Sequence, residues 1–162
     1  LISSRPELLL PTIKSRCHQI PFKRLTHIEI RKVIETNMNA EEITMPSEEK
    51  EIHELLKLAG GSPGNLLNHL KKSNEIPEQI WMSIKKKPSS PQDALSLAKE
   101  IAEELRLDQQ IWLISWLQND IWQKEKYSLP IEKLENLRKQ LNRYVQPRLA
   151  WEVALLEVFK VY

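Results

Sequence analysis

The placement of proline constrains the fold of this chain strongly, because the prolines stand near the starts of apolar runs. A proline lacks a backbone N–H and suits the first position of a helix, where that N–H would have no partner. Helices are therefore predicted to begin near Pro11, Pro63, Pro77, Pro88, Pro91, Pro130 and Pro147. Only three of the 162 residues are glycine, while 28% are charged and 41% are hydrophobic. This balance predicts a soluble, helical protein.

Three short helices are predicted in the first half of the chain. Thr26 and Glu29 have the spacing of a capping box and open a helix whose apolar face holds Ile30, Val33 and Ile34. A second helix is predicted to start at Ser47 and to stop at the Gly60–Gly61 pair. The third helix starts at Ser62–Pro63. The apolar residues of the second helix are Leu55, Leu56 and Leu58, and those of the third are Leu66, Leu67 and Leu70.

The helical periodicity of the apolar residues in 74–162 predicts a second all-α unit of five helices with its own core. The longest periodic segment covers residues 108–126. The last helix is predicted over residues 147–162. Its predicted core face consists of Leu149, Val153, Leu156 and Phe159. All five tryptophans lie in this half, at helical spacing among leucines and isoleucines, and we interpret them as core residues and not as a surface for stacking nucleic-acid bases.

The usual catalytic constellations are absent from the sequence. Its four histidines have no paired ligand spacing, and three glycines cannot build a Gly-rich phosphate loop. We therefore predict neither a metal site nor a bound cofactor. A net charge of +2 is too small to indicate nucleic-acid binding, and Lys85–Lys87 is interpreted as a solvated helix end. Cys17 is the only cysteine, which fits a reducing cytoplasm, and no apolar run is long enough to span a membrane.

The segment Ser3–Cys17 carries a family resemblance. Its sequence, SSRPELLLPTIKSRC, resembles the stretch of bacterial clamp-loader ATPases of the AAA+ superfamily that runs from sensor 1 to the Ser-Arg-Cys motif. Residues 58–67, LAGGSPGNLL, are similar to the start of the sensor-2 helix of that family. Residues 147–156, PRLAWEVALL, resemble its terminal collar helix. The three matches span essentially the whole chain, although residues 77–145 carry no motif of their own.

The resemblance implies a role for Arg16. In this family the arginine of the Ser15-Arg16-Cys17 motif acts as a finger that reaches the ATP site of a neighbouring subunit. The chemistry suits this task, because a guanidinium offers planar, bidentate donors to the γ-phosphate and keeps its charge. Taken alone, the tripeptide would favour a helix cap or a surface ion pair over a finger.

Gly64 indicates which subunit the chain resembles. In the ATP-hydrolysing subunits, the sensor-2 helix carries an arginine that contacts the nucleotide, and the position that aligns with it here is Gly64. A glycine cannot reach a phosphate, so sensor 2 is predicted to be degenerate. The Gly-Ser-Pro-Gly string is similar to the delta-prime type of bacterial DNA polymerase III clamp-loader subunit, a non-hydrolysing stator. Ser3 and Ser4 occupy the sensor-1 position but are not assigned a nucleotide contact.

The resemblance implies three parts: a remnant of the α/β ATPase domain (residues 1–23), a three-helix lid (24–73) and a helical collar (74–162). It implies association with gamma/tau and delta subunits through the collar, and with the sliding clamp and primer–template DNA through the assembled complex. Two alternatives are a hydrolysing gamma/tau-type subunit and a helical adaptor unrelated to ATPases. The missing start methionine predicts a fragment of a longer protein, whose upstream phosphate loop would discriminate among the three.

Overall fold

The structure, a computed structural model, describes residues 3, 5–18, 20–37, 49–125, 128–143 and 145–160. Within these ranges it contains helices and no β-strand, as the sequence predicts. A 3₁₀ helix, Pro6–Leu8, precedes the α-helices. The α-helices are α1 (Pro11–Lys14), α2 (His27–Asn37), α3 (Glu49–Ala59), α4 (Pro63–Asn74), α5 (Glu78–Lys86), α6 (Pro91–Glu104), α7 (Leu107–Glu125), α8 (Ser128–Leu141) and α9 (Pro147–Phe159).

Proline starts most of these helices. It is the first residue of α1, α4, α6 and α9, and Pro77 is the N-cap of α5. Pro130 lies in the first turn of α8, where the backbone N–H groups have no intrahelical partner. Pro88 is the exception, because it is a buried residue of the loop before α6.

Two capping boxes fix the starts of α2 and α6. The Thr26 backbone N–H donates to Glu29 Oε2 at 2.8 Å, and the Glu29 N–H donates to Thr26 Oγ1 at 3.4 Å. Ser90 and Asp93 form the same reciprocal pair at 3.1 and 3.2 Å. These bonds satisfy backbone donors that a helix start leaves unpaired. The capping box predicted at Thr26 is confirmed.

Glycine ends α3 as predicted. Gly60 and Gly61 have φ angles of +58° and +86°, a region that L side chains rarely adopt. Gly61 also lies so close to the preceding segment that a Cβ atom there would be 2.6 Å from Arg24 Cβ. The Leu25 N–H donates to the Gly61 carbonyl at 3.0 Å, which holds residues 22–26 against the α3–α4 turn.

Helices α2–α9 pack around one continuous apolar core. Helix α9 lies against α6 and α8, α8 also packs on α7, and α5 packs on α6. Helices α3 and α4 form a pair, with α2 on α4 and α3 in contact with α7. Buried residues from both halves of the chain belong to the same cluster, from Ile30 on α2 to Trp151 on α9.

Trp151 shows how the core accommodates polar groups. Its side chain is 0% exposed, and its indole N–H donates to Gln110 Oε1 at 2.9 Å. The Gln110 amide in turn donates to the Leu105 carbonyl at 2.8 Å. Each of these buried groups therefore has a partner, and the pairing ties α9 to the start of α7.

Two details of the predicted core are wrong. Leu149 and Val153 are 53% and 49% exposed, whereas α9 buries Ala150, Trp151, Ala154, Leu155 and Val158. Because α9 is apolar on nearly all sides, periodicity could not select the face that meets α6 and α8. Trp122 is 52% exposed and does not join the tryptophans of the core.

Some predictions fall outside the described residues. Ser4, placed above at the sensor-1 position, and Ser47, the predicted start of the second helix, are among them. The division at residues 73–74 stays a prediction.

Candidate subunit-contact sites

The Ser15-Arg16-Cys17 motif follows the short helix α1. The Ser15 hydroxyl donates to the Thr12 carbonyl at 3.2 Å, and the Arg16 N–H donates to the Ile13 carbonyl at 3.1 Å. These bonds fix the turn that carries Arg16. The Arg16 side chain is exposed, and within the described part of the chain it has neither a hydrogen bond nor an ion pair. Cys17 is an exposed free thiol. The arginine is thus available to a group outside its own fold.

The predicted sensor-2 position lies beside an open groove of about 520 Å³. Lys23, Arg24, Gly61 and Asn65 are among the residues that line it. Gly64 is exposed in the first turn of α4, and a Cβ atom there would meet nothing within 4 Å. Steric crowding therefore does not explain the glycine.

A set of polar contacts joins α4 to α5 and α7. The Trp112 indole N–H donates to His69 Nδ1 at 2.8 Å, and the Trp81 N–H donates to the Ser73 carbonyl at 3.2 Å. Burial lowers the pKa of His69, although a hydrogen bond with the Leu58 backbone opposes this. A histidine that accepts at Nδ1 must be neutral there, so the hydrogen bond and the pKa direction agree.

Ion pairs extend this set of polar contacts, which we call the α4–α7 joint. Lys72 pairs with Asp108 and lowers the pKa of that carboxyl through its hydrogen bond. Arg106 donates to Glu75 at 3.1 Å, and Gln109 donates to the same carboxylate oxygen at 3.1 Å. Asp108, Arg106 and Glu75 are exposed, so we assign these ion pairs a role in orienting the helices and only a small share of the stability.

The outward side of α9 is an apolar surface. Leu149 and Val153 lie one turn apart, and both are about half exposed. Arg148 and Glu152, beside them, pair with each other at 2.8 Å. The apolar side chains of a helix normally form a face that packs against other protein groups. This exposed stripe is therefore suited to contact with another protein surface.

The sequence matches a protein-family description over residues 28–158: Cyanobacterial DNA polymerase III delta prime, C-terminal domain. The match includes eight of the helices, from α2 to α9, and leaves out α1. The chain belongs to this family. Neither curated proteins nor solved structures gave a significant match. As a delta prime C-terminal domain, the chain is part of the clamp loader of DNA polymerase III and associates with other subunits of that assembly.

The family match supports the delta-prime type over the two alternatives considered from the sequence. It includes Gly64 and the α9 surface of this delta prime domain, but Arg16 lies outside it. In the part of the chain that the structure describes, no helix has the length and hydropathy needed to cross a membrane.

Sequence reasoning missed the α4–α7 joint and the outward surface of α9. The four histidines of this delta prime domain gave no signal of a site, and nothing local links His69 to Trp112, which are 43 residues apart. The α9 surface did leave a signal, because its sequence is apolar at positions on every side of the helix.

Proposed function

We propose that this delta prime domain acts as a non-hydrolysing stator of the clamp loader and supplies Arg16 to the ATP site of a neighbouring subunit. The observation that carries the proposal is the exposure of Arg16 on a turn fixed by backbone bonds, with no partner among the described residues. Such an arginine contributes little to its own fold and is free to neutralise a γ-phosphate across an interface. In GTPases an arginine supplied in trans raises the rate by roughly 10³–10⁵.

Gly64 supports the non-hydrolysing part of the proposal. The position has room for a side chain, yet the chain has a glycine where the hydrolysing subunits have an arginine. The chain therefore lacks the sensor-2 cation that would contact its own nucleotide. Contacts to the sliding clamp and to primer–template DNA are proposed only through the assembled complex.

The test is Arg16→Ala in a reconstituted clamp loader that contains the full-length protein. Assembly should be unchanged, because loss of an exposed side chain usually alters stability by no more than about 0.5 kcal/mol. DNA-stimulated ATP turnover should fall at least about tenfold. Arg16→Lys should restore only part of the rate, since an ammonium lacks the planar fork.

Arg31→Ala is the matched control, because Arg31 is an exposed arginine on α2. It should leave turnover unchanged. Normal turnover in the Arg16→Ala complex would rule out the finger, and a large fall in the melting temperature of that variant would show a structural arginine instead.

A further inference from the structure

A groove lined with lysines lies between the C-terminal ends of α3, α5 and α7. It consists of two adjoining cavities of about 180 and 250 Å³, which share Glu54, Trp116, Asp120 and Lys124. We call it the basic groove and define it by Lys57, Lys85, Lys87 and Lys124 around Trp116. It shares no residue with the Arg16 turn or with the outward stripe of α9.

The floor of the basic groove is apolar. Trp116 is 7% exposed and meets the Trp81 ring edge-on, with 4.8 Å between the ring centroids. Ile84 and Leu117 extend this floor. Each cavity has the size of a few side chains, so the groove suits a short segment better than a globular surface.

The rim of the groove is net positive. Four lysines line the two cavities, against the carboxylates of Glu54 and Asp120. Asp120 already pairs with Lys124, with 2.5 Å between Oδ1 and Nζ. Lys57 Nζ has a neutral partner, Gln123 Oε1 at 3.4 Å. The rim therefore attracts an acidic ligand.

Helix ends explain three of these lysines but not the fourth. Lys57, Lys85 and Lys124 lie in the last turns of their helices, where a cation offsets the partial negative charge of the carbonyls. Lys87 follows α5 with φ +61° and ψ +128°, a strained conformation for a residue with a side chain. Glycine would adopt it freely, and Pro88 restricts ψ to this range.

Strained backbone conformations cluster at active sites and ligand-binding sites, where the surrounding structure holds them. The Lys87 side chain lines the basic groove and also a third cavity of about 160 Å³ beside the α5–α6 loop. We propose that the basic groove binds an acidic, leucine-containing peptide segment of a partner protein, with Lys87 as a contact residue.

The groove favours a peptide over single-stranded nucleic acid for two reasons. Nucleic acid on such a surface would need aromatic faces for its bases, and the Trp116 ring is buried and engaged by Trp81. Glu54 and Asp120 also stand on the rim, where a continuous phosphate backbone would meet both carboxylates. A peptide can place single carboxylates between them.

The test uses the 162-residue chain and a fluorescein-labelled octapeptide that alternates glutamate with leucine, measured by fluorescence anisotropy. Lys57→Glu should weaken binding at least about tenfold, or about 1.4 kcal/mol. Lys87→Gly should weaken binding about threefold while raising the unfolding midpoint by about 3 °C, because the strain is relieved. A purely structural lysine would not produce these opposite changes. Lys99→Glu, at an exposed lysine on α6, is the matched control.

Two further probes complete the test. The same peptide with glutamine for glutamate should bind at least about tenfold more weakly if the lysines provide the recognition. An eight-residue oligodeoxythymidylate should bind more weakly than the acidic peptide. The proposal is overturned if the peptide does not bind, if Lys57→Glu and Lys87→Gly bind it like the unchanged chain, or if the oligonucleotide binds more tightly.

Discussion

At the scale of single residues, His69 joins three helices. It lies on α4, accepts the indole N–H of Trp112 on α7 at 2.8 Å, and bonds to the backbone of Leu58 on α3. The acceptor nitrogen has to be unprotonated for this arrangement. Protonation would place a second N–H against the Trp112 donor and would leave both without an acceptor.

The depressed pKa of His69 predicts that acid weakens the fold. In the unfolded chain the pKa has its usual value of 6.5, and in the folded chain it is lower. Between the two values the unfolded state binds more protons, so stability rises with pH in that window and falls as the pH drops below about 6.5. Thermal unfolding followed by circular dichroism at pH 7.5 and 5.5 should show a lower midpoint at pH 5.5.

The variant His69→Gln should remove most of this pH dependence, because a glutamine amide oxygen accepts a hydrogen bond without titrating in this range. His53→Gln, at an exposed position on α3, should keep it. His69→Ala should cost about 1–3 kcal/mol, since it leaves the indole N–H without an acceptor. An unchanged pH profile in His69→Gln would contradict this account.

At the scale of elements, two glycines at the α3–α4 turn and the start of α4 differ in whether the backbone needs a glycine there. Gly61 needs its positive φ and its lack of a Cβ atom, because residues 24 and 25 pack directly against it. Gly64 needs neither, since it lies in a helix with open space around it. The same residue type is therefore structural at one position and replaceable at the other.

We predict that Gly61→Ala lowers the free energy of unfolding by about 1–3 kcal/mol, through the strained φ and the collision with Arg24. Gly64→Ala should raise it by about 0.4–1 kcal/mol, because alanine has less freedom to lose in the unfolded chain. Urea denaturation of the two variants measures both changes. Equal effects of the two substitutions would show that the turn does not depend on close approach at Gly61.

At the scale of the whole molecule, helices α2–α4 and α5–α9 share a core and a polar joint. The apolar cluster runs through both groups, and Trp81, Trp112, Lys72 and Asp108 connect α4 to α5 and α7. The outward stripe of α9 is left exposed. Because the family associates with clamp-loader subunits, we assign this stripe to a subunit contact as a prediction.

The prediction is that Leu149→Glu combined with Val153→Glu leaves the fold intact and weakens association with the other clamp-loader subunits at least about tenfold, or about 1.4 kcal/mol. A charge buried in an apolar interface has no partner, whereas on an exposed helix face it stays in water. Sedimentation of the reconstituted complex measures association, and circular dichroism checks the fold. Met82→Glu, at an exposed apolar residue on α5, is the control and should assemble normally.

The positions of most helices followed from the sequence, because the forces that start and stop a helix act within about four residues. Pro11, Pro63, Pro91 and Pro147 begin helices, Thr26 and Glu29 cap one, and Gly60–Gly61 end one. Short sequence motifs, at residues 3–17, 58–67 and 147–156, also indicated the relation to delta prime subunits. The function of Arg16 is still a prediction, since its neighbour's active site lies outside this chain.

Only the tertiary structure decided which residues meet across the chain. Periodicity predicted that Leu149 and Val153 would face the core, but α9 is apolar on nearly all sides and packs its Ala150 and Ala154 side inward. The pairing of His69 with Trp112, and the convergence of Lys57, Lys85, Lys87 and Lys124 on one groove, depend on helices that are distant in sequence. A local pattern determines whether a helix forms. Its orientation depends on the surfaces it packs against, because packing free energy comes from contacts between distant segments.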